Sequence, residues 1–194
     1  LRGFVYMPPV KILFLATLLP AKGIFELLEA VSTLRKDGYN VILTIAGAGP
    51  AERRVKDMIR ELAIQASVTL TGDVRGKAKR DLFLSHHLYC LPSWDEGLPA
   101  SLLEALALGM PVVATPVGGI PDIIDPARNG VLVPPRDPAA LARALAGLCA
   151  DPARLAEMAR ANHEFAAARF PASRAATRLA DIYRATLTRT ERDT

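Results

Sequence analysis

Apolar residues in this chain alternate between two arrangements. Short continuous runs occur at VKILFLA (10–16), NVILTIAG (40–47), SVTLTG (67–72), LYCLP (88–92), PVVATP (111–116) and NGVLVPP (129–135). They are flanked by Gly, Pro or polar residues, as expected of strands covered on both faces. Between them the apolar positions recur at helical spacing, over about 23–37, 51–64, 77–85 and 99–109. Repeated strand–helix alternation predicts an α/β fold: a doubly wound, parallel, Rossmann-like sheet of about six strands in an α/β/α sandwich.

Beyond residue 137 the strand pattern ends. Asp137-Pro138 and Asp151-Pro152 each read as a helix cap followed by proline in the first turn, where its missing N–H costs nothing. A further helix is expected after Phe170-Pro171, running to about 188. With no internal repeat or low-complexity linker, residues 1–194 read as one α/β domain with extra C-terminal helices from about 171. The chain opens on Leu1 rather than Met, so a piece of a longer protein is expected.

A parallel sheet of this kind binds ligands in the crevice beyond the carboxyl ends of its strands. Four loops reach that edge: 16–23, 47–50, 72–77 and 92–101. The last opens a helix near Pro99, whose free amides and positive dipole end suit an anion. Lys22 can bring a cation to the same crevice; at a helix start its charge is unfavourable unless an anion is present. Two carboxylates, Glu96 and Glu104, flank this helix start, and Glu104 is the only charge between Ala100 and Met110. Ser101 and Glu104 have the spacing of a capping box, a purely structural use. A helix that starts two or three residues before Ser101 would instead place Glu104 a turn inside an apolar segment. There an unpaired carboxylate is costly and needs donors such as ribose hydroxyls. The pattern leaves both readings open.

Composition narrows the classes. The chain is 51% hydrophobic and 23% charged, enough for a packed core and too apolar for wholesale disorder. Its net charge of +4 is spread out, without the basic stripe that nucleic-acid binding requires. The two cysteines, Cys90 and Cys149, form no C-x-x-C pair, which fits a reducing, cytoplasmic setting. The longest uncharged stretch, 105–121, is broken by glycines and prolines and is no membrane span. The first residues lack the plan of a signal peptide. No Asp/Glu/His cluster has metal-ligand spacing. His86 and His87, between a helix and a strand, are expected away from the crevice, and His163 on a helix face.

The stretch from Glu96-Gly97-Leu98-Pro99 to Glu104, continuing through 105–115, resembles the E-x7-E signature of glycosyltransferase family 4. LYCLPS, PVGGIPDII, NGVLVPPRDPAALARAL and, near the start, ILFLATLLPAKGIFELLEAV resemble the same family's flanking blocks, in order and over nearly the whole chain. The resemblance implies the GT-B fold, two Rossmann-like domains across a cleft, of which this chain would be the C-terminal, donor-binding half. It implies a retaining sugar transfer from a UDP- or GDP-sugar, without a cofactor or bound metal. Glu104 would hold the ribose hydroxyls and Glu96 the donor sugar, helped by the main chain of Gly97, Leu98, Pro99 and Ala100. Amides near Ser101 and Leu102 would take the diphosphate. Lys22 would act with Glu96 at the reacting end, stabilising the departing phosphate, and the main chain at Val74 would meet the base. Thr17 stands where the family usually carries a phosphate-clamping arginine, and threonine cannot make that bidentate contact.

The acceptor site and the family's N-terminal histidine have no counterpart in this chain. The N-terminal domain is therefore an expected partner, and the isolated piece should bind donor while turning over little. Peripheral membrane contact is expected only if the acceptor is a lipid. Three rival readings are a non-catalytic nucleotide-sugar-binding or scaffold domain, a nucleotide-sugar epimerase, and a dinucleotide-dependent oxidoreductase. The epimerase should lack the Glu96/Glu104 pair. The oxidoreductase fingerprint fails because Gly47-Ala48-Gly49 is followed by Glu52 where a third glycine belongs.

Overall fold

The computed structural model describes residues 9–170. The helix expected after Pro171 lies outside them. Six parallel strands form one sheet in the order β3-β2-β1-β4-β5-β6. They are β1 (Val10–Leu15), β2 (Val41–Ala46), β3 (Val68–Gly72), β4 (Leu88–Leu91), β5 (Val112–Ala114) and β6 (Gly130–Leu132). The helices are α1 (Ile24–Lys36), α2 (Glu52–Glu61), α3 (Gly76–Ser85), α4 (Ala100–Ala107), α5 (Pro138–Ala150) and α6 (Pro152–Arg169).

The continuous apolar runs are strands sealed on both sides. Ile12, Leu13 and Phe14 are successive residues of β1, point to alternate faces, and are all fully buried. One face is covered by α1 with α2 and α5, the other by α3, α4 and α6; α1 packs on α5, and α4 on α6. Each such core side chain contributes about 1.5–3 kcal/mol over an exposed one, so the central strands anchor the domain. The last two strands, β5 and β6, are shorter than the apolar runs suggested. Pro111 has no N–H, and only its carbonyl joins the ladder, accepting from the Tyr89 amide at 2.9 Å. Pro134 and Pro135 likewise deny β6 any continuation.

Both expected caps form. The Asp137 carboxylate accepts from the Ala140 amide at 2.8 Å and that of Asp151 from Arg154 at 2.9 Å. The order reverses between β1 and β4, so their following loops diverge and leave a crevice at the carboxyl edge.

Candidate functional site

The loops after β1 and β4 are held together by backbone contacts. Gly23, at φ +71°, caps α1, and a Cβ there would sit 1.9 Å from the Pro92 carbonyl oxygen. Only glycine permits both that φ and that approach. The Trp94 amide donates to the Ala21 carbonyl at 2.8 Å. These contacts set Lys22, at the end of a 3-10 turn (Pro20–Lys22), beside Glu96. Lys22 Nζ donates to Glu96 Oε1 at 2.8 Å, and Ser93 Oγ donates to the same oxygen at 2.7 Å. The Glu96 side chain is 8% exposed and that of Lys22 25%. The two residues expected at the reacting end are thus brought together, and Lys22 already has an anion within the chain.

From the other side, the loop after β5 clamps the Glu96–Gly97 backbone. The Gly119 amide donates to the Gly97 carbonyl at 2.7 Å, and a Cβ on Gly118 (φ +55°) would lie 1.9 Å from the Glu96 carbonyl oxygen. Thr115 Oγ1 donates to the Ser93 carbonyl. Trp94 is fixed by its indole N–H to Glu26 Oε1 at 2.9 Å, with the Arg136 guanidinium stacked 4.2 Å above its ring.

The helix after this loop begins at Ala100, with Pro99 at the cap position and no side-chain cap. The capping box is therefore not formed. Ser101 instead shares a 2.7 Å hydrogen bond with the Tyr89 hydroxyl, which also lies 3.2 Å from the Leu15 carbonyl. This ties the α4 start to β4 and to the end of β1. Complete burial raises the Tyr89 phenol far above its usual range, so it stays neutral. The Leu102 amide turns onto the Pro99 carbonyl at 3.1 Å, and the Leu102 side chain is in the core. At this helix start the Ala100 and Ser101 amides have no intrahelical acceptor, while the Leu102 amide has one in Pro99.

Glu104 lies more than one turn inside α4. Its Oε1 accepts from Lys79 Nζ of α3 at 2.7 Å, while Oε2 is shielded from solvent and has no hydrogen-bond partner. The carboxylate is thus half satisfied by a cation that sequence reasoning missed. Thr17 is exposed and Val74 half-buried; both line a hollow of about 410 Å³ with Ala16, Gly47 and Lys79, at the carboxyl ends of β1, β2 and β3.

Both α3–β4 histidines sit at the opposite edge. His86 Nε2 and Thr44 Oγ1 are 2.7 Å apart and Nδ1 donates to the Leu82 carbonyl at 2.7 Å; desolvation lowers its pKa. His87 Nδ1 accepts from the Lys11 amide at 3.1 Å. A separate hollow of about 340 Å³, lined by His86, Met110, Ala159 and the exposed His163, opens at that edge too, away from the crevice. Burial raises the Cys149 thiol to about 11 and that of Cys90 further still, so neither suits a nucleophile near neutral pH. Among the described residues no group of three His, Cys, Asp or Glu could hold a metal ion, and no helix is long and apolar enough to cross a membrane.

Comparison with known proteins adds to this geometry. Residues 4–165 match the family model described as glycosyl transferases group 1. The chain is 32% identical over 162 residues to the putative colanic acid biosynthesis glycosyltransferase WcaL of Salmonella typhimurium, covering 80% of this chain and 37% of that protein. Among solved structures it superposes on sucrose-phosphate synthase from Thermosynechococcus elongatus with a TM-score of 0.85 and 26% identity, over 92% of this chain and 46% of the other. It matches Anabaena Alr3699/HepE in complex with UDP-glucose at a TM-score of 0.84 and 22% identity, over 90% and 48%. The chain spans well under half the length of this curated relative.

Proposed function

This chain belongs to the group 1 glycosyl transferases, and from that premise we propose that it is the C-terminal, donor-binding half of a retaining glycosyltransferase using a nucleoside-diphosphate sugar. The observation that carries this reading is Glu104: a carboxylate inside an apolar helix, one oxygen unpartnered, next to the helix start with open amides. Ribose hydroxyls would supply the missing donors. The Ala100 and Ser101 amides and the α4 dipole would receive the diphosphate. Lys22 has three protons and spends one on Glu96, so it can donate to phosphate without leaving that carboxylate. Negative charge that develops on the departing diphosphate would meet these donors already in place. Glu96, held by Lys22 and Ser93, would accept from hydroxyls of the donor sugar. The main chain at Val74 would border the base. The binding of UDP-glucose by a protein of the same fold supports a UDP-sugar as the first donor to try, with GDP-sugars as the alternative.

The acceptor and the second wall of the cleft would come from an N-terminal domain, leaving the isolated chain able to bind donor but to turn over little. A second reading, a nucleotide-sugar-binding scaffold without catalysis, is favoured by Thr17, an uncharged side chain at the hollow where a clamping arginine would be expected. The family assignment leaves no role for the oxidoreductase or epimerase readings. Joining the chain to its N-terminal half and following sugar transfer by NMR of the product anomer separates enzyme from scaffold. Transfer with the donor's anomeric configuration kept supports the proposal; donor binding without any transfer supports the scaffold.

A further inference from the structure

Lys79 is the side chain at the junction of two hollows on the crevice side. One, of about 410 Å³, it shares with Thr17, Gly47 and Val74; the other, of about 240 Å³, with Phe83, Glu104 and Leu108. It lies in the first turn or so of α3, a helix that has no acidic residue in that turn and has Arg75 at its cap position. A cation there works against the helix dipole. Two nearby cations are neutralised locally, Arg75 by Asp73 at 3.0 Å and Lys77 by Asp81 at 2.7 Å. Lys79 instead reaches across to Glu104 on α4, at 2.7 Å. As a mere latch between helices this pair would contribute little, since both side chains are partly exposed, at 29% and 40%. A latch would also leave Glu104 Oε2 buried and unsatisfied.

We infer that Lys79 is a nucleotide-contacting specificity residue: its ammonium and the free oxygen of Glu104 together read the ribose diol. This rests on the donor-binding reading above and deepens it. A hydroxyl both donates and accepts, and two vicinal hydroxyls present both functions side by side. One hydroxyl donates to the Glu104 carboxylate, whose partly exposed side chain turns to bring Oε2 out of its shielded position. The adjacent hydroxyl oxygen accepts from Lys79 Nζ, which has two protons left after serving Oε1. Ion-pairing holds the two side chains next to each other in advance, so the diol meets acceptor and donor at one place. A nucleotide lacking one hydroxyl leaves one of them unpaired, which is the situation that gives polar sites strong discrimination.

Calorimetric titration of the chain with UDP and GDP identifies the nucleotide that binds; its 2′-deoxy and 3′-deoxy forms then probe the parent, K79M, K79Q and K79R. In the parent, removing one of the two hydroxyls should weaken binding about tenfold or more, as loss of a charge-assisted hydrogen bond does. In K79M and K79Q that penalty should shrink to about twofold for the hydroxyl Lys79 contacts, and K79R should restore much of it. Two uncharged variants guard against one failing to fold. If K79M and K79Q weaken the parent nucleotide and both deoxy forms by the same factor, Lys79 is only a brace and the inference falls, with donor binding untouched. A loss confined to the diphosphate relative to the monophosphate would likewise overturn the ribose assignment. If the parent binds neither nucleotide, the donor-binding reading fails and takes this one with it.

Discussion

Lys22 Nζ and Glu96 Oε1 are 2.8 Å apart although 74 positions separate them in the chain. That contact depends on the loops after β1 and β4 being pressed together at Gly23 and Pro92. It gives each residue a distinct expected effect. Lys22→Met leaves the Glu96 carboxylate, 8% exposed, with Ser93 as its remaining donor among the described residues, and should destabilise the fold by about 2 kcal/mol. It should also weaken nucleoside diphosphate binding about tenfold or more by removing a charged donor. Glu96→Gln should leave nucleoside diphosphate affinity within about twofold but lower that for the nucleotide-sugar. Titrating each variant with the nucleotide and with its sugar conjugate checks the split.

Gly118 carries the other half of the clamp. At φ +55° and with the Glu96 carbonyl 1.9 Å from a would-be Cβ, Gly118→Ala must displace the loop that presents Glu96. The expected cost is about 3 kcal/mol, read from the midpoint of chemical unfolding. Gly147, inside α5 with nothing within 4 Å of a would-be Cβ, is the control. Gly147→Ala should stabilise by about 0.5–1 kcal/mol, because alanine loses less conformational freedom in a helix.

His86 makes the fold sensitive to acid. Desolvation, its largest influence, lowers the folded pKa below the unfolded value of 6.5. The unfolded chain therefore binds the proton first. The stabilisation from neutral His86 is complete above the unfolded pKa and is lost as pH falls from about 6.5 through the lowered folded value. The melting temperature should drop across that window. His86→Gln should flatten the dependence there, even if the variant is less stable at every pH because the Thr44 and Leu82 contacts are disturbed.

Much of the architecture was legible because it is written in local pattern. Runs such as 10–16 could only be strands covered on both faces, and Asp137-Pro138 and Asp151-Pro152 each capped a helix as their residue types require. The stretch around Glu96 and Glu104 carried both the family and the neighbourhood of the crevice. What the sequence hid was partnership across the chain. Lys79 reads as one cation among several on an amphipathic helix, and nothing local says that it reaches Glu104, 25 positions away. Ser101 looks like a capping residue until Tyr89 takes its hydroxyl. The clamp of Gly118 on the Glu96 backbone is equally invisible, since a glycine pair after a short strand reads as an ordinary turn. Strand ends were overrun for a simpler reason: apolar prolines extend a hydrophobic run while offering no amide to the ladder.

Glu104 decides the account. Glu104→Ala removes the unpartnered oxygen together with the Lys79 contact, while neither group belongs to the buried core. Isothermal titration with UDP and GDP should show binding to the parent chain and a loss of about tenfold to a hundredfold in the variant, at a nearly unchanged melting temperature. Equal affinity in parent and variant would contradict the account, reducing this carboxylate to a tie between α3 and α4.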